Sequence, residues 1–218
     1  MTEDGLPTLA AGGFSTWLAA MLRALGGAAG SEVPCGGCTA CCTSSQFVHV
    51  GPDETETLAR IPPELLFPAP RLPSGNMVLG YDADGHCPML IDNRCSIYEH
   101  RPRTCRTYDC RVFAATGVEI DGDEQVAIAE RVRRWRFDFP TDDDRRDHVA
   151  VLAAARFVRR RKAALPEGVG PANATQQAVL AIEMHEAFIG RHDMTDGDAV
   201  VDDDHELIRA VLRARSGT

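Results

Sequence analysis

Four of the eight cysteines in this 218-residue chain fall within eight residues, in "CGGCTACC" from Cys35 to Cys42. The other four follow at Cys87, Cys95, Cys105 and Cys110. A chain of this length, with an ordinary apolar content, can build a hydrophobic core and needs no disulfide framework to stand in for one. Thiols gathered so closely therefore point to metal or redox chemistry more than to covalent staples.

The N-terminal stretch has early acids and no basic run before its apolar part, so it makes a poor secretory signal. The apolar part, Phe14 to Leu25, is interrupted by Arg23 and is too short to span a bilayer. The expected address is the cytoplasm, where thiols stay reduced. With 23 basic against 32 acidic residues the chain carries −9, which argues against nucleic acid or an anionic membrane as partner. A protein or peptide partner is expected instead, and the oligomeric state is left open.

Elements can be placed around the cysteines. Phe14 to Leu25 repeats its apolar residues at helical spacing, starting at Gly13 or Ser15 and ending at the pair Gly26-Gly27. "GGAAGSEVP" then serves as a linker. Gln46 to Val50 predicts a short strand, followed by a short helix with Asp53 as N-cap and Glu56 completing a capping box. Prolines 62, 63, 68, 70 and 73 predict an irregular segment over 61–75. "NMVLGYD", the turn "ADG" and "HCPML" predict a hairpin, and "IDNRC" another turn. Pro102 suits the first position of a helix carrying Cys105 and Tyr108. Further on, helices are expected at Gln125–Phe137, from Thr141 to about Ala164, at Ala174–Ile189 and at Asp204–Arg215. The second of these begins with Asp142, Asp143 and Asp144 at the positive end of its dipole. The expected fold is α+β. A small cysteine-rich module with short hairpins, 34–115, follows an N-terminal helix and linker, 1–33, and is enclosed by a mostly helical remainder, 116–218.

The spacing admits more than one ligand set. Cys35-x2-Cys38-x2-Cys41 has the triple step of bacterial ferredoxins, and Cys87-Pro88 can supply the fourth thiolate from a distance. A [4Fe–4S] cluster on Cys35, Cys38, one of Cys41 or Cys42, and Cys87 follows. The neighbours Cys41 and Cys42 diverge, so one of them is left for a second site with Cys95, Cys105 and Cys110. A four-thiolate zinc site from the pairs Cys35/Cys38 and Cys105/Cys110 is the alternative. His49, His86 and His100 lie near cysteines and could replace a thiolate, although solvated or core histidines are commoner. Glu183, His185, Glu186 and His192 lack any zinc or di-iron helix spacing and read as a polar helix face. The acidic run "DGDAVVDDDHE" lacks the order of a calcium loop. No P-loop, dinucleotide fingerprint or radical-SAM cysteine triplet is present in the sequence.

"CGGCTACC", "CPML" and "CSIYEHRPRTCRTY" together resemble the YkgJ-type cysteine-cluster family, a zinc- or iron-chelating domain. The resemblance covers about residues 34–110. It implies metal binding, iron–sulfur in particular, by Cys35, Cys38, Cys41 or Cys42, Cys87, Cys95 and Cys105, with Cys110 less characteristic of the pattern. Arg101 and Arg106 match motif positions and read as partners to sulfur. A similar cysteine domain occurs in flagellin lysine N-methylases, so the resemblance also opens an enzymatic reading, with methylation or redox chemistry on a protein or peptide. The competing reading is a non-catalytic protein with a structural zinc that mediates protein–protein contact.

Overall fold

The computed structural model describes residues 5–27, 33, 35, 37–120, 122, 125–162, 165 and 170–190. In chain order the elements are β1 (Leu9–Gly13), α1 (Phe14–Leu25), β2 (Val48–Val50), α2 (Thr55–Leu58), β3 (Leu66–Pro68), β4 (Met77–Leu79), β5 (Leu90–Ile91), β6 (Arg94–Cys95), α3 (Arg103–Thr107), α4 (Arg111–Thr116), α5 (Val126–Arg134), β7 (Trp135–Asp138), α6 (Asp142–Arg161) and α7 (Ala174–Glu183). Single 3₁₀ turns at Ala40–Thr43, Pro63–Leu65, Tyr98–His100 and His185–Phe188 join them. The fold is mixed α+β, with helices in excess and three small sheets. Among the described residues no helix is long and apolar enough to cross a membrane. The expected helix Asp204–Arg215, residue His192 and the acidic run before that helix lie outside the described residues.

The chain divides into two compact units, one of Met1–Gly26, Cys110–Asp121 and Val132–Thr218, the other of Gly27–Asp109 and Gly122–Arg131. The first is built on long-range pairing that the sequence does not announce. β1 lies parallel to β7, with Leu9 opposite Trp135 and Gly13 opposite Asp138. The register slips between Ala10 and Gly12, where Gly12 takes φ +90°, a conformation that suits glycine. Residues 135–137, expected to continue a helix, are instead part of strand β7; α5 stops at Arg134. α1 occupies its predicted span and buries Phe14, Trp17, Leu18, Met21 and Ala24. Phe14 is fully buried among Trp17, Phe137, Phe139 and His148, with ring centroids 4.7–5.7 Å away.

α1 has no side-chain cap of its own. Asp144, in the first turn of α6, supplies the acceptor: its Oδ1 takes the Ser15 N–H at 2.8 Å. The same carboxylate closes the capping box of α6, accepting from the Thr141 N–H at 3.0 Å while the Asp144 N–H donates to Thr141 Oγ1 at 3.2 Å. Along α6, Ala150, Ala153, Ala154, Phe157 and Val158 pack on Leu180, Ala181, Met184 and Phe188. α7 is shorter than expected and gives way to the 3₁₀ turn, in which His185 is buried and its Nδ1 lies 2.7 Å from the Ile182 carbonyl. Of the expected polar face, His185 thus turns into the interior while Glu186 stays exposed.

In the second unit the sheet order is β2-β4-β3, antiparallel throughout. The expected hairpin between 76–82 and 86–90 is not formed as a ladder, since β4 takes β2 and β3 as partners. The proline-rich segment is more regular than expected. It forms edge strand β3, where a proline does not interrupt a central ladder. β5 and β6 pair across Asp92 and Asn93, both at positive φ, as a two-residue turn requires. Val48, Val50, Ile61, Leu79, Met89 and Ile97 form the core, with Cys87 and Cys95 half-buried against it.

Two outcomes follow. Phe14→Ala should lower folding stability by about 3–5 kcal/mol in a denaturant titration. The Thr141 hydroxyl first, then the Ser15 N–H, hold the Asp144 carboxyl down at about 2. A depressed carboxyl stabilises the fold above its unfolded pKa of about 4 and loses that contribution as pH falls towards 2. Asp144→Asn should therefore flatten the acid limb of the stability curve between about pH 4 and pH 2, read by thermal melts.

Candidate metal centre

The first cysteine cluster starts as a tight turn, in which the Cys38 N–H donates to the Cys35 carbonyl at 3.0 Å. The Arg131 guanidinium donates to that same carbonyl at 3.2 Å. Cys41 and Cys42 then sit in the 3₁₀ turn Ala40–Thr43, which Thr39 and Ala40 anchor by accepting from the Cys42 N–H, the Thr43 hydroxyl and the Ser44 hydroxyl. With three residues per turn, consecutive side chains leave about 120° apart, so the two thiols face different surroundings.

Backbone hydrogen bonds bring the second cysteine segment to the first. The Cys87 N–H donates to the Cys42 carbonyl at 2.7 Å and the Ser45 N–H to the Gly85 carbonyl at 2.9 Å. Gly85 takes φ +78°, which suits glycine, and a Cβ there would press on Ser45 Oγ and push that hydroxyl aside. Asp82 folds the turn before Cys87 by accepting from the Asp84 and His86 N–H groups at 3.0 and 2.9 Å. Cys95 stands on β6 opposite Leu90, and the Thr39 hydroxyl reaches Asn93 Oδ1 of that hairpin at 3.3 Å.

Cys105 comes in on α3, a five-residue helix that begins after Pro102. The buried carboxylate of Glu54 holds its start: Oε2 accepts from the Arg103 N–H at 2.5 Å and Oε1 from the Gly51 N–H at 2.9 Å. Arg106 lies 3.8 Å from the same carboxylate, and the Thr104 hydroxyl donates to the His49 carbonyl at 2.9 Å. Asp53 does not cap α2 as expected; it forms an ion pair with Arg103. These anchors were not visible in the sequence, because Asp53 and Glu54 find their partners fifty residues on.

The thiols act on one another electrostatically. Burial, then Cys87, Cys95, Cys38 and Cys35 in that order, push Cys42 up to about 11. Burial also raises Cys87, with Cys95 and Asp82 adding to it and the Met89 and Leu90 N–H groups opposing. Cys105 presents surface to solvent, yet its sulfur lies against enough protein that burial, followed by Cys42, Cys87 and Cys95, pushes it up to about 12. All six pairs among Cys42, Cys87, Cys95 and Cys105 are thus in mutual reach, and Cys35 and Cys38 reach the group through Cys42. Among the described residues no three His, Cys, Asp or Glu side chains already form a metal-holding arrangement. The sulfurs share a region, and binding must draw them inward.

This donor set fits a soft, thiolate-bound centre. Several thiolates confined together repel, and a shared cation is what lets them ionise. Four other cysteines act on Cys42. Cys110 belongs to the other unit, is buried, and its Sγ accepts from the Trp135 indole N–H at 3.3 Å. Arg101 lies over the Tyr98 ring at 4.1 Å, donates to the Tyr98 carbonyl and opposes the rise at Cys105; Arg106 is turned to Glu54. His49 meets Asn76 Oδ1 at 2.8 Å and His100 lies 3.4 Å from Glu56. None of the eight cysteines is in a disulfide.

Residues 34–126 match the family model CxxCxxCC, described as "Putative zinc- or iron-chelating domain". This segment is similar to that family's domain. Chelation of zinc or iron by a cysteine cluster is accordingly what the segment is built for. No curated protein and no solved structure matches the chain.

Each thiolate that takes a metal must first release a proton, and these thiols are raised, so apparent metal affinity should climb with pH between 6 and 8. Competition against a chromophoric chelator at the two ends of that range checks it; a flat profile would count against thiolate ligation. Glu54→Ala leaves two backbone donors without their acceptor and should cost about 1–3 kcal/mol of stability, measured by chemical denaturation.

Proposed function

We propose that this protein is a cytoplasmic iron–sulfur protein whose cluster is held by Cys42, Cys87, Cys95 and Cys105, with Cys35 and Cys38 beside Cys42. The observation that carries this reading is the mutual electrostatic reach of those four thiols, brought in from the 3₁₀ turn, the 82–87 turn, β6 and α3. Six thiols in one region also exceed the four that a single closed zinc site uses, and the ferredoxin-like triple step of the first cluster supports iron. A cluster bound this way supplies electron transfer or structural cohesion, while the chain's own groups set its surroundings. Arg101 places positive charge near Cys105, and the Met89 and Leu90 N–H groups point to Cys87. The cytoplasmic assignment rests on the crowding of thiols, which only a reducing compartment keeps available.

A second reading has one observation in its favour. The mutual quartet numbers four thiols, as a structural zinc requires. Anaerobic purification separates the two. Iron–sulfur ligation predicts brown protein with about four irons per chain, bleached and iron-free in Cys42→Ser and unchanged in Cys110→Ser. Colourless protein with one zinc per chain, or Cys42→Ser with full iron content, would overturn the reading.

A further inference from the structure

The β2-β4-β3 sheet has a second face that the metal centre does not use. Val48, Val50, Leu66 and Leu79 pack into or against the core, so His49, Phe67 and Val78 stand on the opposite side by alternation. Phe47 and Gly80 continue that side beyond the strand ends. Gly80 matters there, because a Cβ would lie 3.2 Å from one Phe67 ring carbon and 3.9 Å from one of Phe47. Its bare backbone lets both rings lie over the strand. The Phe47 ring meets Phe67 edge-on with centroids 6.0 Å apart and Tyr81 at 5.0 Å. All three are exposed, Phe47 to 61% and the others to 39% each. Aromatic rings in mutual contact and open to water form the kind of patch that binding partners cover.

The charge around the rings selects the partner. The segments that carry them, 44–50, 64–69 and 76–84, contain Glu64, Asp82 and Asp84 and no lysine or arginine. The whole chain adds a net charge of −9. That sign repels nucleic acid and anionic lipid and attracts a cation, and aromatic faces bind guanidinium groups favourably. We propose that the Phe47–Phe67–Tyr81 face docks an arginine-bearing segment of a partner protein, with guanidinium groups stacked on the rings. The planar, weakly hydrated guanidinium suits such a surface better than an ammonium.

The test uses the full chain with a fluorescein-labelled twelve-residue peptide alternating arginine and glycine, and its glutamate counterpart, followed by anisotropy at physiological salt. The arginine peptide should bind and the glutamate peptide should not. Phe47→Ala should weaken binding about tenfold, with thermal midpoint and metal content unchanged. Phe47→Leu, which keeps apolar bulk and removes the ring, should weaken it nearly as much. No binding, equal binding by Phe47→Ala, or full affinity in Phe47→Leu would overturn the proposal. Sedimentation showing self-association that Phe47→Ala abolishes would do the same, by giving the face to a second copy of this chain.

Discussion

Sulfur charge confined in a half-buried space is the constraint around which the cysteine-bearing unit is organised. Burial first, and then the neighbouring thiols, make ionisation of Cys42, Cys87 and Cys105 harder. Without a cation they stay protonated and tolerate their proximity; with one, the same proximity becomes chelation. The unit around them has short helices, two- and three-residue strands and a small apolar core. Elements of that size hold together only when something else ties them, and here Cys87 and Cys95 sit at the edge of the core itself.

The remaining contacts serve to deliver thiols from separate places. A carboxylate buried at Glu54 fixes where α3 begins and hence where Cys105 enters. The hydrogen bond from Cys87 to Cys42 joins two cysteine segments directly through the backbone. Asn93 and Thr39 bind the β5–β6 hairpin to the first cluster, so Cys95 is placed by a turn and not by a long strand. The other unit is stabilised by different means, through the aromatic packing of Phe14 and the doubly used carboxylate of Asp144.

What could be read from the sequence was what depends on near neighbours. The apolar period of 14–25, the Thr141–Asp144 cap and the helix start at Pro102 are local, and α1, α6 and α3 begin where those signals put them. The cysteine spacing likewise led to the chelating family. Pairing across the chain could not be read in this way. β1 is an alanine–glycine strand without alternation, and its partner β7 continues a helical apolar pattern that only a distant ladder interrupts. Asp53 looked like a cap until Arg103 arrived from far along the chain to take it. That Cys41 and Cys42 share a single 3₁₀ turn, and so point in different directions, is likewise something spacing does not encode. The Trp135 partner of Cys110 depends on strand β7 in the same way.

X-ray absorption on the metal-loaded full chain addresses convergence of the thiols most directly, because it reports the atoms around the metal. The account predicts an all-sulfur first shell at about 2.3 Å. A first shell dominated by nitrogen or oxygen would contradict it, whatever the metal.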